Sequence, residues 1–143
     1  MSATSGYFIE DLTVGMSASY GKTITDADIV MFAGVSGDTN PVHLDQEFAA
    51  KTPFKTRIAH GMLSAGFIST VIGTKLPGPG SIYMSQTLRF KAPVKIGDTV
   101  QTTCTISEII PDKRRAVLST ICKVGDTVVI EGEALIMVPS RGK

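Results

Sequence analysis

The C-terminal half of the chain alternates between apolar and polar positions. Ile82, Met84, Leu88 and Phe90 share one parity, interrupted by Gln86, and Val100, Cys104 and Ile106 share another. Ala116, Leu118, Thr120, Cys122 and Val124 make a third set, and Val128, Ile130, Ala134, Ile136 and Val138 a fourth. Side chains two apart point to one face of an extended strand. The pattern breaks at residues 93–98, at 111–114 and at Gly125-Asp126. This spacing predicts four strands joined by short turns, an antiparallel meander.

Before residue 80 the period changes. Residues 1–24 read as a leading segment with a turn around Gly15 and short extended stretches beside it. Thr25 is placed to cap a helix whose first turn carries Asp26 and Asp28, and Ile29, Phe32 and Ala33 form its inward stripe. Gly34 and Gly37 end it. Asp45 caps a second short helix over residues 46–51, with Phe48 expected inward. A longer helix begins at His60-Gly61-Met62 and runs to about Lys75. Its apolar residues cover most of its circumference, which predicts a buried helix, and its glycines and alanine predict close backbone approach. Lys75-Leu76-Pro77-Gly78-Pro79-Gly80 stops it. A buried helix followed by a long antiparallel sheet predicts an α+β fold with the sheet curled round the helix. The sheet edges must be paired or covered, and edge-to-edge dimerisation is one solution.

A chain of 143 residues is expected to form one domain, residues 1–143, with a single core. The 14 basic and 13 acidic side chains leave a formal charge of +1, against the basic surface that nucleic-acid binding requires. Lys113-Arg114-Arg115 reads as a solvated hairpin tip, with a phosphate contact as the alternative. Residues 1–9 show no secretory pattern, and the most apolar window, residues 61–76, is too short and too interrupted to span a bilayer. Cys104 and Cys122 lack metal spacing and read as buried free thiols in strands, so a reduced, cytoplasmic setting is expected.

The chemistry concentrates in Asp38-Thr39-Asn40-Pro41-Val42-His43-Leu44-Asp45. Pro41 removes a backbone donor and pushes Asn40 out of the α region, so the chain turns between Asp38 and His43. Such a turn can aim a carboxylate and an imidazole at one volume, as general acid–base chemistry on a water requires. The structural alternative is an Asn-Pro turn in which Asp45 merely caps the next helix. His60, at a helix start, reads first as a histidine bonded to nearby backbone and second as a substrate contact. Ser69 and Ile72, three apart, share a helix face and suit either an acyl tunnel or helix–sheet packing. No dinucleotide fingerprint, metal spacing or nucleophile elbow is present.

Asp38-x-Asn40-Pro41-x-His43-x-Asp45 followed by His60-Gly61-Met62 resembles the R-specific enoyl-CoA hydratases of the MaoC-like group. The resemblance extends through Gly80-Ser81-Ile82-Tyr83 and the turn containing Phe90-Lys91, Pro93-Val94 and Gly97-Asp98. It implies the hot-dog fold, a long central helix wrapped by a curved antiparallel sheet, as a homodimer. It also implies reversible, cofactor-free hydration of a trans-2-enoyl thioester to an (R)-3-hydroxyacyl product, linking fatty-acid metabolism to hydroxyacyl-CoA use, including polyhydroxyalkanoate synthesis. The carrier is CoA or an acyl-carrier protein. In that reading Asp38 and His43 hold the water, the Gly61 N–H receives charge on the thioester oxygen, and Asn40 and His60 support them. Two alternatives remain at this level: a hot-dog thioesterase, against which stands the lack of Asp or Glu in residues 60–75, and a non-catalytic acyl-thioester binder.

Overall fold

The computed structural model describes residues 5–142; residues 1–4, the start of the stretch read for a secretory signal, and residue 143 lie outside the described residues. Each alternating segment is a strand: β2 (Ile82–Phe90), β3 (Thr99–Ile110), β4 (Arg115–Val124) and β5 (Thr127–Met137). The leading segment supplies another, β1 (Ser17–Thr23). Together they form one antiparallel sheet in the order β1-β3-β4-β5-β2. The meander therefore holds for β3, β4 and β5 and fails for β2. That strand pairs with β5, Leu88 opposite Gly132, while β1 occupies the place beside β3. Alternation marks a strand but says nothing of its neighbour.

This order has a consequence for the site. Residues 91–98 must carry the chain back across the sheet, over three strand spacings of about 4.8 Å. Eight extended residues reach roughly 26 Å, so the segment crosses with slack enough to dip and turn. Along the way the Ala59 N–H donates to the Val94 carbonyl at 2.7 Å, and Ile58 bridges to Lys95. Register shifts between Tyr83 and Ser85, between Ile106 and Glu108 and between Cys122 and Lys123 bend the strands. They are what lets the sheet curl. Gly125, at φ 58°, makes the tight β4–β5 turn with Asp126.

The long helix, α4 (Gly61–Thr74), packs against β1, β3 and β4. Phe67, Ile68, Val71 and Ile72 are buried with Val100, Ile106, Leu118 and Ile136 from the sheet. Each side chain of this size contributes about 1.5–3 kcal/mol relative to exposure. The opposite face of α4 is open. Met62, Gly66, Ser69 and Gly73 are exposed, and a Cβ at Gly66 or Gly73 would meet nothing within 4 Å. Within one chain, then, α4 is not buried all round, and these two glycines do not serve close packing.

The first helix, α1 (Asp26–Ser36), begins with the expected capping box between Thr25 and Asp28 and ends at Gly37, whose φ of 80° closes the turn. Ile29 and Ala33 are buried and Phe32 half-buried. Two short helices follow, α2 (Pro41–Leu44) and α3 (Gln46–Ala50). Asp45 caps α3 as expected, but Phe48 is 47% exposed and Ala49 is the buried residue. In so short a helix, adjacent positions lie about 100° apart. Turning Ala49 to the core turns Phe48 away from it.

Candidate active site

Three consecutive side-chain caps shape the turn before α2. Ser36 Oγ accepts from the Asp38 N–H at 3.1 Å, Asp38 Oδ1 from the Asn40 N–H at 3.2 Å, and Asn40 Oδ1 from the Val42 N–H at 3.1 Å. Pro41 sits at the first position of α2, where a missing N–H costs nothing. Asn40 thus spends its carbonyl oxygen on the helix start. His43 follows within α2, and its backbone carbonyl accepts from Arg57 Nε at 2.7 Å. The same guanidinium pairs with Asp26 at 2.6 Å, tying α2 to the first turn of α1.

Backbone carbonyls set the tautomers of both histidines. His43 Nδ1 lies 2.8 Å from the Ile58 carbonyl, and His60 Nε2 lies 2.9 Å from the Asp38 carbonyl. A carbonyl only accepts, so these nitrogens carry the protons. The neutral rings therefore present bare lone pairs at His43 Nε2 and His60 Nδ1. The two rings stack, centroids 3.8 Å apart and planes 27° apart, and Phe32 packs on His60 from 4.8 Å. Asp38, His43 and His60 each bring one ligand-type atom within 4.8 Å of the others. Asp38 is exposed, whereas both histidines are buried. Nearly parallel rings hold their lone pairs in side-by-side planes, a poor match to the converging ligands of a tetrahedral metal site. A shared water, which bends its hydrogen bonds freely, suits the cluster better.

This cluster borders a cavity of about 550 Å³ at the head of α4. Asp38, His60 and Gly61 line it together with Phe54, Ile58, Phe90 and the crossover residues 91–94. Gly61 is the first residue of a 14-residue helix. Its N–H is among those a helix leaves without an internal partner, at the positive end of the dipole. A Cβ here would stand 2.7 Å from Phe90 Cε1, so glycine makes room for that ring. His43 is not itself in the wall and stands against His60. Ser69 is exposed on α4, and Ile72 is 1% exposed in the core. Neither lines the cavity, whose residues from α4 are Gly61, Met62 and Ser64 in its first turn.

Three contributors were given no role from the sequence pattern: Arg57, Phe90 and Ser64. Arg57 carries no motif, and Phe90 reads as an ordinary strand residue until the crossover brings it onto Gly61. Ser64 had a signal, since it lies three residues after Gly61 and so faces the same way. It is buried in the cavity wall, and its Oγ has no hydrogen-bond partner among the described residues.

The chain is similar to known proteins along most of its length. Residues 12–131 match the MaoC-like domain family. The chain is 58% identical over 136 residues to an (R)-specific enoyl-CoA hydratase of Rhodospirillum rubrum, covering 95% of this chain and 94% of that protein. It is 54% identical over 134 residues to a 3-hydroxybutyryl-CoA dehydratase of Methylorubrum extorquens, covering 94% and 85%. Among solved structures, the unliganded R-hydratase PhaJ1 of Pseudomonas aeruginosa superimposes with a TM-score of 0.90 at 47% identity, covering 95% of this chain and 88% of the other. The five-stranded antiparallel sheet around α4 is the hot-dog fold, and the chain belongs to the MaoC-like dehydratase family.

Proposed function

We infer that this protein is a hydro-lyase that reversibly hydrates trans-2-enoyl-CoA to (R)-3-hydroxyacyl-CoA, with Asp38 and His43 activating one water. The observation that carries the reading is the meeting of Asp38 with two tautomer-locked histidines beside the start of α4. The bare Nε2 of His43 and the Asp38 carboxylate are both proton acceptors, as activation of water requires. The water oxygen bonds to the β-carbon, and its released proton is held by the pair and delivered to the α-carbon. One proton enters and one leaves, so the pair ends each turnover as it began. Negative charge that develops on the thioester oxygen is received by the Gly61 N–H. Asn40 holds the loop, and His60 holds the Asp38 backbone. No carboxylate lies on α4 to serve a hydrolytic role, so thioester hydrolysis has no separate support here.

Residues 1–143 act as one domain in this reading, and the working unit is a homodimer. β2 is an edge strand with Ile82, Tyr83, Met84 and Phe90 all exposed, an apolar edge that pairing with a second copy would cover. Phe90 belongs to both that edge and the cavity, which puts each site near the interface. Among the described residues no helix is long and apolar enough to cross a membrane, and Cys104 and Cys122 are free thiols. Both features accord with a cytoplasmic enzyme acting on soluble acyl-CoA, with an acyl-carrier protein as the other carrier of the same thioester.

The decisive experiment follows crotonyl-CoA by its enone absorbance with a parallel free-thiol assay. The expected result is loss of absorbance without release of CoASH. Thiol release with the double bond intact would make the protein a thioesterase, and neither change would make it a binder. Sedimentation of the active enzyme as a monomer would remove the dimer from the proposal.

A further inference from the structure

His43 stands on α2, a helix of 4 residues, and a helix that short has too few internal bonds to hold its own direction. Its aim is set from outside, by residues 57 and 58. The Arg57 Nε–H donates to the His43 backbone carbonyl at 2.7 Å, and the Ile58 carbonyl accepts from His43 Nδ1 at 2.8 Å. One dipeptide therefore grips the histidine at both backbone and ring. The Ile58 N–H also donates to the Val42 carbonyl at 3.3 Å, and the Arg57 N–H to Gln46 Oε1 at 3.1 Å. The guanidinium is anchored in turn by Nη2 on Asp26 Oδ1 at 2.6 Å, in the first turn of α1. The Asp26 side chain is 63% exposed, so this ion pair contributes little stability. What the planar guanidinium supplies is direction, since its donors point at fixed angles and a lysine ammonium cannot hold both acceptors in that way.

We propose that Arg57 is a positioning residue for hydration, which holds α2 against α1 and so keeps the His43 imidazole aimed at the reacting water. The proposal rests on the reading of His43 as a water-activating group. Arg57 does not line the cavity, so it acts through His43 and not on the substrate. The Ile58 carbonyl can fix the ring's tautomer without help. A single bond at Nδ1, however, leaves the ring and its one-turn helix free to pivot about that contact. The Arg57 bond to the backbone carbonyl removes the pivot. A shift of His43 Nε2 by about 1 Å is enough to cost up to about 10²-fold in turnover. The groups that line the cavity stay where they are, so substrate binding is spared.

The test measures kcat and KM for crotonyl-CoA in Arg57→Ala, Arg57→Lys and Asp26→Asn, each made in the wild type and in His43→Gln. Arg57→Ala should lower kcat about 10- to 100-fold with KM nearly unchanged. Arg57→Lys should lose nearly as much, because it keeps the charge and loses the fork, and Asp26→Asn should lose less. In the His43→Gln background none of the three should lower the residual turnover further, since no imidazole is left to aim. An arginine that only supports the fold would cost the same factor in both backgrounds, and that result overturns the proposal. So does a rise in KM with kcat kept, or wild-type turnover in Arg57→Lys. Should the Arg57 variants not fold, Asp26→Asn decides by the same comparison, and an unchanged kcat there overturns the proposal. Full turnover in His43→Gln alone would instead remove His43 from the mechanism, and this proposal with it, so the two failures stay distinct.

Discussion

Residues 38–60 and the strands β3 to β5 hold their shapes by opposite means. The loop region is fixed by directional hydrogen bonds: side-chain caps at Asp38, Asn40 and Asp45, and carbonyls of Asp38 and Ile58 on the histidine rings. The strands are fixed by burial, with alternate residues of β4 from Ala116 to Cys122 closed off from solvent. Directional bonds aim groups and leave several of them reachable, as Asp38 is. Burial supplies stability but silences chemistry. The difference teaches that the two regions should respond oppositely to substitution, function yielding in one and folding in the other.

The largest expected effect tests the loop side. Asp38→Asn and His43→Gln should each lower turnover by about 10²–10⁴-fold. The melting temperature should change little for Asp38→Asn, whose side chain is exposed. In the proposed mechanism the two act on one water, so the double variant should be little worse than either single one. Near-wild-type turnover in a single variant would remove that residue from the mechanism and blur the contrast.

Next comes Gly61, where the two regions meet. Gly61→Val should cost about a hundredfold in turnover, the scale of one lost oxyanion donor. The close approach of Phe90 offers a rival cause, since any side chain at 61 must first displace that ring. Adding Phe90→Ala separates them. If the thioester lies on the Gly61 N–H, relieving the ring leaves the double variant impaired. Full recovery would assign the loss to the ring instead.

The sheet side is tested by Leu118→Ala, at a site 0% exposed. Chemical denaturation should show a loss of about 2–5 kcal/mol, with turnover per folded molecule nearly unchanged. A selective loss of turnover here would contradict the division.

The smallest effect is a matter of pH. Burial, and then the nearness of Cys122, raise the Cys104 thiol from its ordinary 9.0 to about 12. Folded protein keeps this thiol neutral while unfolded chain ionises it, so the unfolded state binds fewer protons above pH 9. Stability contributed by Cys104 is therefore intact below the ordinary thiol value and declines as pH rises from there toward about 12. Replacing Cys104 with Ala should flatten that decline. In the native enzyme at pH 8 a thiol reagent should find neither cysteine, and a fast reaction of Cys104 would show the sheet to be less closed than its burial indicates.

Much of the site was legible because its residues are close in sequence. Pro41 forces a turn, and the turn brings Asp38 and His43 together whatever the rest of the chain does. The His60-Gly61 step was legible as a helix start. What escaped were contacts made across the chain. Arg57 reaches Asp26, 31 residues away, and Phe90 reaches Gly61 only because β2 pairs with β5. Ser69 and Ile72 share a face in the abstract, yet the direction in which α4 meets the sheet divides them between solvent and core.

Local order, then, was determined by the sequence itself: where the strands and the longer helices lie, the caps at Thr25 and Asp45, and the turn that pairs a carboxylate with an imidazole. These follow from backbone sterics and hydrogen bonds spanning a few residues. Only the tertiary structure decided that β2 crosses to the far edge, that residues 91–94 wall the cavity, and which face of α4 is left open. Those outcomes depend on which distant apolar surfaces bury one another. Hydrophobic burial is non-directional, so the alternation that creates a sticky face does not name the face it will meet.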